Sequence, residues 1–302
     1  MRAIVTGAAG FIGSHLCASL LHDGDDVVGI DCFTDYYSPE RKELNVAPLS
    51  RQPRFTLQRV DLVRAPLVSL FESADVIYHL AGQPGVRGSW GIEFAPYVER
   101  NILATQRVLE AARECAVPKV VYASSSSVYG DAESLPTPES VRPQPLSPYG
   151  VTKLAGEHLC EAYRADGLPT AALRFFTVYG PGQRPDMAFS RLVDASLKGL
   201  PFSLYGDGEQ SRDFTYVDDV VTAVRRAAVS PWTGVANIGG GSRTTMNRVI
   251  ELISGLAKPI EVVRQAVQRG DVRHTAADTT EARNGFGFDP VVSIEEGLAR
   301  MV

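Results

Sequence analysis

An apolar stretch at residues 3–6 runs directly into Thr6-Gly7-Ala8-Ala9-Gly10-Phe11-Ile12-Gly13-Ser14, and the residues that follow carry the apolar spacing of a helix. Three glycines at i, i+3 and i+6 on a strand-to-helix turn remove Cβ atoms where backbone must approach something closely. The first turn of the helix presents N–H groups without intrahelical partners, which is a binding place for an anion. The pattern predicts a first βα unit with a pyrophosphate lying over the turn, touched by Gly7, Gly10, Phe11, Ile12 and Gly13.

Short β-rich runs at 27–31, 55–61, 76–81, 119–124 and 170–176 alternate with helical patterns at 96–115 and 148–165. Strands separated by crossover helices predict an α/β fold, a doubly wound parallel sheet of Rossmann type covered on both faces. After Phe176 the text becomes punctuated by Gly180-Pro181-Gly182 and Tyr205-Gly206-Asp207-Gly208, as expected of a smaller C-terminal substrate-binding lobe. The expected division is 1–176 for the dinucleotide-binding domain, with 213–240 returning to it, and 177–302 for the lobe. The 302 residues suit that division at roughly 150 per domain. The helix at 96–115 is apolar over a wide arc, so one side is expected on the sheet and the other on a second subunit, giving a homodimer.

Composition narrows the partner. Thirty basic and 35 acidic residues leave a net charge of −5, spread along the chain, so neither nucleic acid nor an anionic membrane is expected and a small molecule is. Cys17, Cys32, Cys115 and Cys160 form no CxxC pair, and the five histidines never reach HExxH spacing, so no metal site is predicted. No apolar run approaches the 18 residues of a membrane span, and the expectation is a cytoplasmic protein.

Asp31 closes the second strand 18 residues after Gly13, where its carboxylate can accept hydrogen bonds from both ribose hydroxyls of an adenosine. A 2′-phosphate would be repelled there, and neighbouring Cys32 and Phe33 bring no cation. The expected cofactor is NAD rather than NADP. Asp61 and Leu62 after the third strand suit the adenine edge, and Leu80, Ala81 and Gly82 after the fourth suit the pyrophosphate and ribose.

Tyr149 and Lys153 stand at i and i+4, one above the other on a helix face. A phenol of ordinary pKa about 10 becomes a useful base near neutrality only if its anion gains roughly 4 kcal/mol of preferential stabilisation. Lys153 and a positive nicotinamide ring are suited to supply it.

With these motifs, the chain resembles the extended short-chain dehydrogenase/reductases, the nucleotide-sugar epimerase/dehydratase group. The resemblance runs from Gly7 to Gly270-Asp271-Val272 and Glu295-Glu296-Gly297-Leu298. It implies Tyr149 as acid/base, Ser125, three residues before Val128-Tyr129-Gly130, as its catalytic partner, Lys153 as holder of the nicotinamide ribose, and Asn101 as a support of the active-site geometry. In that family the dehydratases carry Asp-Glu after the serine, and the decarboxylases carry Glu in the second place. Here Ser126 and Ser127 stand instead, which leaves 4-epimerisation.

The segment Arg174-Phe175-Phe176-Thr177-Val178-Tyr179-Gly180-Pro181-Gly182-Gln183-Arg184-Pro185-Asp186-Met187-Ala188 is similar to the UDP-glucuronate 4-epimerases of the family, galactose epimerases usually having asparagine where Thr177 stands. The resemblance implies interconversion of UDP-glucuronate and UDP-galacturonate through a 4-keto sugar, with tightly bound NAD. Arg184 is then expected on the C6 carboxylate, with Arg87 as a second cation and Ser125, Ser126, Ser127, Tyr149, Thr177 and Met187 around the sugar and uridine. Tyr205 is expected beside the uracil, Arg212 on the diphosphate, and Asp271 in a loop where Arg269 replaces the usual proline. The alternatives are a UDP-galactose-type 4-epimerase, a UDP-glucuronate decarboxylase, and a catalytically silent NAD-binding regulator.

Overall fold

The computed structural model describes residues 1–132, 134–266 and 272–302. Its strands in chain order are β1 (Arg2–Thr6), β2 (Asp26–Ile30), β3 (Phe55–Gln58), β4 (Val76–His79), β5 (Val120–Ser125), β6 (Thr170–Phe175), β7 (Thr177–Tyr179), β8 (Phe202–Tyr205), β9 (Ser211–Tyr216), β10 (Gly234–Ile238), β11 (Arg243–Thr245) and β12 (Val262–Gln265). Among the described residues, seven of these form one parallel sheet in the order β10-β6-β5-β4-β1-β2-β3. The doubly wound parallel sheet expected from the alternating pattern is the fold observed.

Alternate side chains of each strand feed opposite faces. Ala3 and Val5 of β1 enter a core with Leu16 and Val220, while Ile4 between them enters a second core with Val108 and Tyr122. Helices α1 (Phe11–His22) and, later in the chain, Val217–Val229 cover the first face. The second is covered by Ala104–Glu114 and Pro148–Ala165. Both faces are therefore dry, which is why the strands read as continuous apolar runs.

The strand order reverses between β1 and β4, and the carboxyl ends of these neighbours, Thr6 and His79, lie in register. Crossovers leave this point in opposite directions and open a crevice there, the place where such sheets bind ligands. The long helix read at 96–115 is broken: a π-helical segment, Val98–Leu103, precedes Ala104–Glu114. A π turn displaces side chains from the regular α stripe, and this one carries the buried Asn101.

Beyond β6 the chain forms a three-stranded sheet, β11-β9-β7, and a pair, β12-β8. Strand β9 stays in the small sheet, whereas the helix Val217–Val229 packs against β5 and β6, and β10 pairs in parallel with β6 at the edge of the main sheet.

Candidate active site

A cleft of about 450 Å3 opens at the reversal point. One wall is the glycine turn. Gly7 has φ +74°, and a Cβ there would lie 2.8 Å from the nitrogen of Ala81; at Gly13 a Cβ would stand 2.1 Å from the oxygen of Gly7. These contacts let β1, the turn and α1 close on one another, with Gly10, Phe11 and Ile12 also lining the cleft. The N-cap of α1 is Gly10, which offers its first turn no capping side chain.

At the far end of this wall the Asp31 carboxylate accepts from the backbone nitrogens of Ala9 at 3.2 Å and Phe33 at 2.8 Å. The sequence around Asp31 offers no cation, yet the fold brings one. Helix α2 (Pro39–Val46) delivers the buried Lys42, whose Nζ lies 3.6 Å from Asp31 Oδ1 and donates to Thr34 Oγ1 at 3.2 Å. Asp61, Leu62, Leu80, Ala81 and Gly82 line the same cleft.

Tyr149 and Lys153 occupy the start of the helix Pro148–Ala165. Ser147 caps it by accepting from Gly150 N at 3.1 Å, and Pro148 sets its first turn. Lys153 is buried, donates from Nζ to the Ala123 carbonyl at 2.9 Å and lies 5.1 Å from the centre of the Tyr122 ring. Burial lowers its pKa to about 8, opposed by Cys160 and Glu157. Burial also raises the Tyr149 phenol, against a hydrogen bond with Ser125 and the charge of Arg184. Arg184 is thus a cation that favours the phenolate, while the Lys153 ammonium rests on the Ala123 carbonyl of β5.

Ser125, Ser126, Ser127, Thr177, Arg184 and Met187 line the cleft together with Tyr149. Ser125 Oγ accepts from Ser127 N at 3.1 Å, which fixes the serine turn. Arg184 is held by Asp186, and although burial works against its charge, that carboxylate together with Tyr36 and Tyr149 keeps its pKa raised. Asn101 accepts from Gln83 N at 2.6 Å and donates to Thr152 Oγ1 at 3.0 Å, joining the loop after β4 to the tyrosine helix.

Three residues expected on the substrate are not among those that line this cleft. Arg87 and Tyr205 do not line the cleft; the Arg87 guanidinium stacks 4.3 Å from the centre of the Tyr205 ring. Arg212 is also outside the lining and donates to the carbonyls of Val272 at 2.5 Å and Arg273 at 3.0 Å. Asp271 lies outside the described residues. Conversely, Lys42, Tyr36, Gln83 and Arg100 line the cleft without having been read as binding residues.

Residues 3–239 match the model of the NAD dependent epimerase/dehydratase family. A solved UDP-glucuronic acid 4-epimerase from Bacillus cereus, in complex with UDP-glucuronic acid and NAD, is 43% identical and superposes with a TM-score of 0.95 over 99% of this chain and 96% of that one. A Bacillus subtilis (strain 168) protein described as an uncharacterized UDP-glucose epimerase is 45% identical over 307 residues, covering 100% of this chain and 97% of its own. A probable UDP-glucuronate 4-epimerase from Rhizobium meliloti (strain 1021) is 38% identical over 328 residues, covering 100% and 96%. Matched by that family's model over residues 3–239 and by these relatives over its whole length, the chain belongs to the NAD dependent epimerase/dehydratase family.

Proposed function

We propose that the protein is an NAD-dependent UDP-glucuronate 4-epimerase that interconverts UDP-glucuronate and UDP-galacturonate. The observation that carries this reading is one cleft holding Tyr149, the run Ser125 to Ser127, Thr177 and the guanidinium of Arg184, with no carboxylate at positions 126 and 127. Arg184 offers a carboxylate-bearing sugar a planar cation, and the serines offer neutral hydrogen bonds. The structure of the relative from Bacillus cereus, with UDP-glucuronic acid and NAD bound, supports the substrate and the cofactor.

The cradle fits a dinucleotide: Gly7 and Gly13 clear the turn for a pyrophosphate, and Asp31 stands ready for the ribose diol. NAD supplies reversible hydride acceptance at the sugar's C4. Tyr149, with Ser125 beside it, takes the C4 hydroxyl proton and later returns it. Lys153, anchored on Ala123, holds the ribose next to the sugar. The 4-keto sugar turns over in the cleft between the two transfers, so the epimer forms with no net redox.

A homodimer is supported by Val98 and Leu103, 39% and 44% exposed, and by Val151, 48% exposed on the neighbouring helix. The four free cysteines suit the cytoplasm, and no described helix is long and apolar enough to cross a membrane. The second reading, a 4-epimerase for an uncharged UDP-hexose, is favoured by the name of the Bacillus subtilis relative. Incubation with UDP-glucuronate and NAD tests the main reading. An isomeric product identified as UDP-galacturonate is expected; conversion of UDP-glucose alone would favour the second reading.

A further inference from the structure

We propose that Asp186 is a positioning residue for the substrate's carboxylate, acting through Arg184. The inference rests on the reading of the site as one for UDP-glucuronate. Asp186 Oδ1 lies 3.0 Å from Arg184 Nε, and Oδ2 lies 3.0 Å from Arg184 Nη2. This side-on pairing uses only one edge of the guanidinium. A guanidinium has five N–H donors, so the end formed by Nη1 and the second hydrogen of Nη2 stays available for another carboxylate.

The two residues stand differently toward the cleft. Arg184 lines it, and Asp186 does not. Asp186 therefore holds the cation from outside. The Tyr36 ring, 6.0 Å from the guanidinium carbon, gives a second point of reference, and Met187 N donates to the Arg184 carbonyl at 3.1 Å, tightening the backbone between them. A long, flexible side chain is thus fixed in plane and direction before substrate arrives, so less freedom is lost on binding.

Direction matters because oxidation at C4 turns a glucuronate into a β-keto acid. When the C5–carboxylate bond stands perpendicular to the ketone plane, it can break: its electron pair passes into the enolate of the 4-ketone, carbon dioxide leaves, and C5 takes a proton from water. The product is a UDP-4-keto-pentose. A guanidinium locked by Asp186 keeps the carboxylate away from that alignment. Asp186 thus governs both affinity for the acid sugar and the partition between epimer and keto-pentose.

A double-mutant cycle on the NAD-loaded enzyme decides the matter. Asp186→Ala, Arg184→Ala and the double variant are compared by calorimetric Kd for UDP-glucuronate and for UDP, and by the mass of the products. Asp186→Ala is expected to weaken UDP-glucuronate about tenfold, the scale of one charge-assisted bond, to leave UDP binding unchanged, and to raise the share of keto-pentose. In the Arg184→Ala background it is expected to do nothing more. Asp186→Asn, of the same shape with one acceptor kept, should fall between.

The proposal is overturned if Asp186→Ala changes nothing, if it weakens UDP equally, or if its effect persists in full without Arg184. An unmodified enzyme that binds UDP-glucuronate but yields no UDP-galacturonate would remove the functional reading, while the Kd cycle would still decide the role of Asp186. Failure of the unmodified enzyme to bind UDP-glucuronate would overturn both.

Discussion

Arg174 grips Glu157 through two hydrogen bonds, 2.9 Å from Nε and 2.7 Å from Nη2, with both side chains buried. The pair ties β6 to the tyrosine helix one turn beyond Lys153. Arg174 Nη1 also donates to the Tyr129 hydroxyl at 2.8 Å, which donates to Asn237 Oδ1 at 2.7 Å, and Ser124 donates to the same Glu157 carboxylate. One polar chain therefore joins the catalytic helix, the serine turn and the edge strand β10.

Removing one partner leaves the other charge buried and unpaired, which typically costs about 3–5 kcal/mol. Glu157→Gln keeps the volume and removes the charge, so it is expected to lower the unfolding free energy in urea by about that amount. A loss below about 1 kcal/mol, the scale of an exposed pair, would mean that the network carries little stability.

The ribose end gives a second prediction. The unmodified protein, stripped of cofactor, should bind NAD in preference to NADP, because Asp31 repels a 2′-phosphate. Lys42 lies 3.6 Å from that carboxylate. Asp31→Ala should leave its ammonium free to meet a 2′-phosphate, narrowing the preference by about tenfold or more, the scale of a charge-assisted bond. Titration of both cofactors into Asp31→Ala and Asp31→Ala/Lys42→Ala checks this; equal ratios in the two variants would show that Lys42 plays no part.

Lys153 gives a pH prediction. Burial lowers its pKa to about 8 in the folded protein, below the ordinary lysine value near 10.4. Between these values the unfolded chain binds more protons than the folded one, so this group makes stability rise with pH from about 8 to 10.4, and its destabilising effect is fully present below about 8. Lys153→Met removes the buried ammonium. Its stability relative to the unmodified protein should be highest below pH 8 and should shrink as pH rises toward 10.4; a difference that stays flat from pH 7 to 10 would contradict the burial argument.

The parts of the site that were legible in the sequence are those made by neighbours along the chain. Gly7, Gly10 and Gly13 share one turn, and Tyr149 and Lys153 share one helix face, so spacing alone places them. What spacing does not show is which way a long side chain turns. Lys153 goes to the carbonyl of Ala123, and Arg184, thirty-five residues beyond Tyr149, also brings a positive charge to bear on that phenol. Lys42 reaches Asp31 from a separate helix, and Arg87 meets Tyr205 across more than a hundred residues of chain. The interruption at Val98–Leu103 was hidden for another reason: its residues keep an apolar pattern that a regular helix would satisfy equally well.

The serine turn offers a further test. Ser126→Asp with Ser127→Glu places the two carboxylates of the dehydratase pattern into the cleft. Their charge should repel the C6 carboxylate, raising KM for UDP-glucuronate by about tenfold or more, as one mispaired charge-assisted contact would. An unchanged KM in steady-state assays would mean that these positions do not face the carboxylate.

The central claim is that hydride leaves C4 and returns to C4 of the same sugar while Tyr149 moves the hydroxyl proton. UDP-glucuronate carrying deuterium at C4, incubated with the NAD-loaded enzyme in ordinary water, tests it most directly. The account predicts UDP-galacturonate with the deuterium retained at C4 and the mass unchanged, and almost no product from Tyr149→Phe. Loss of the label to solvent, or product formed at a near-normal rate by Tyr149→Phe, would contradict it.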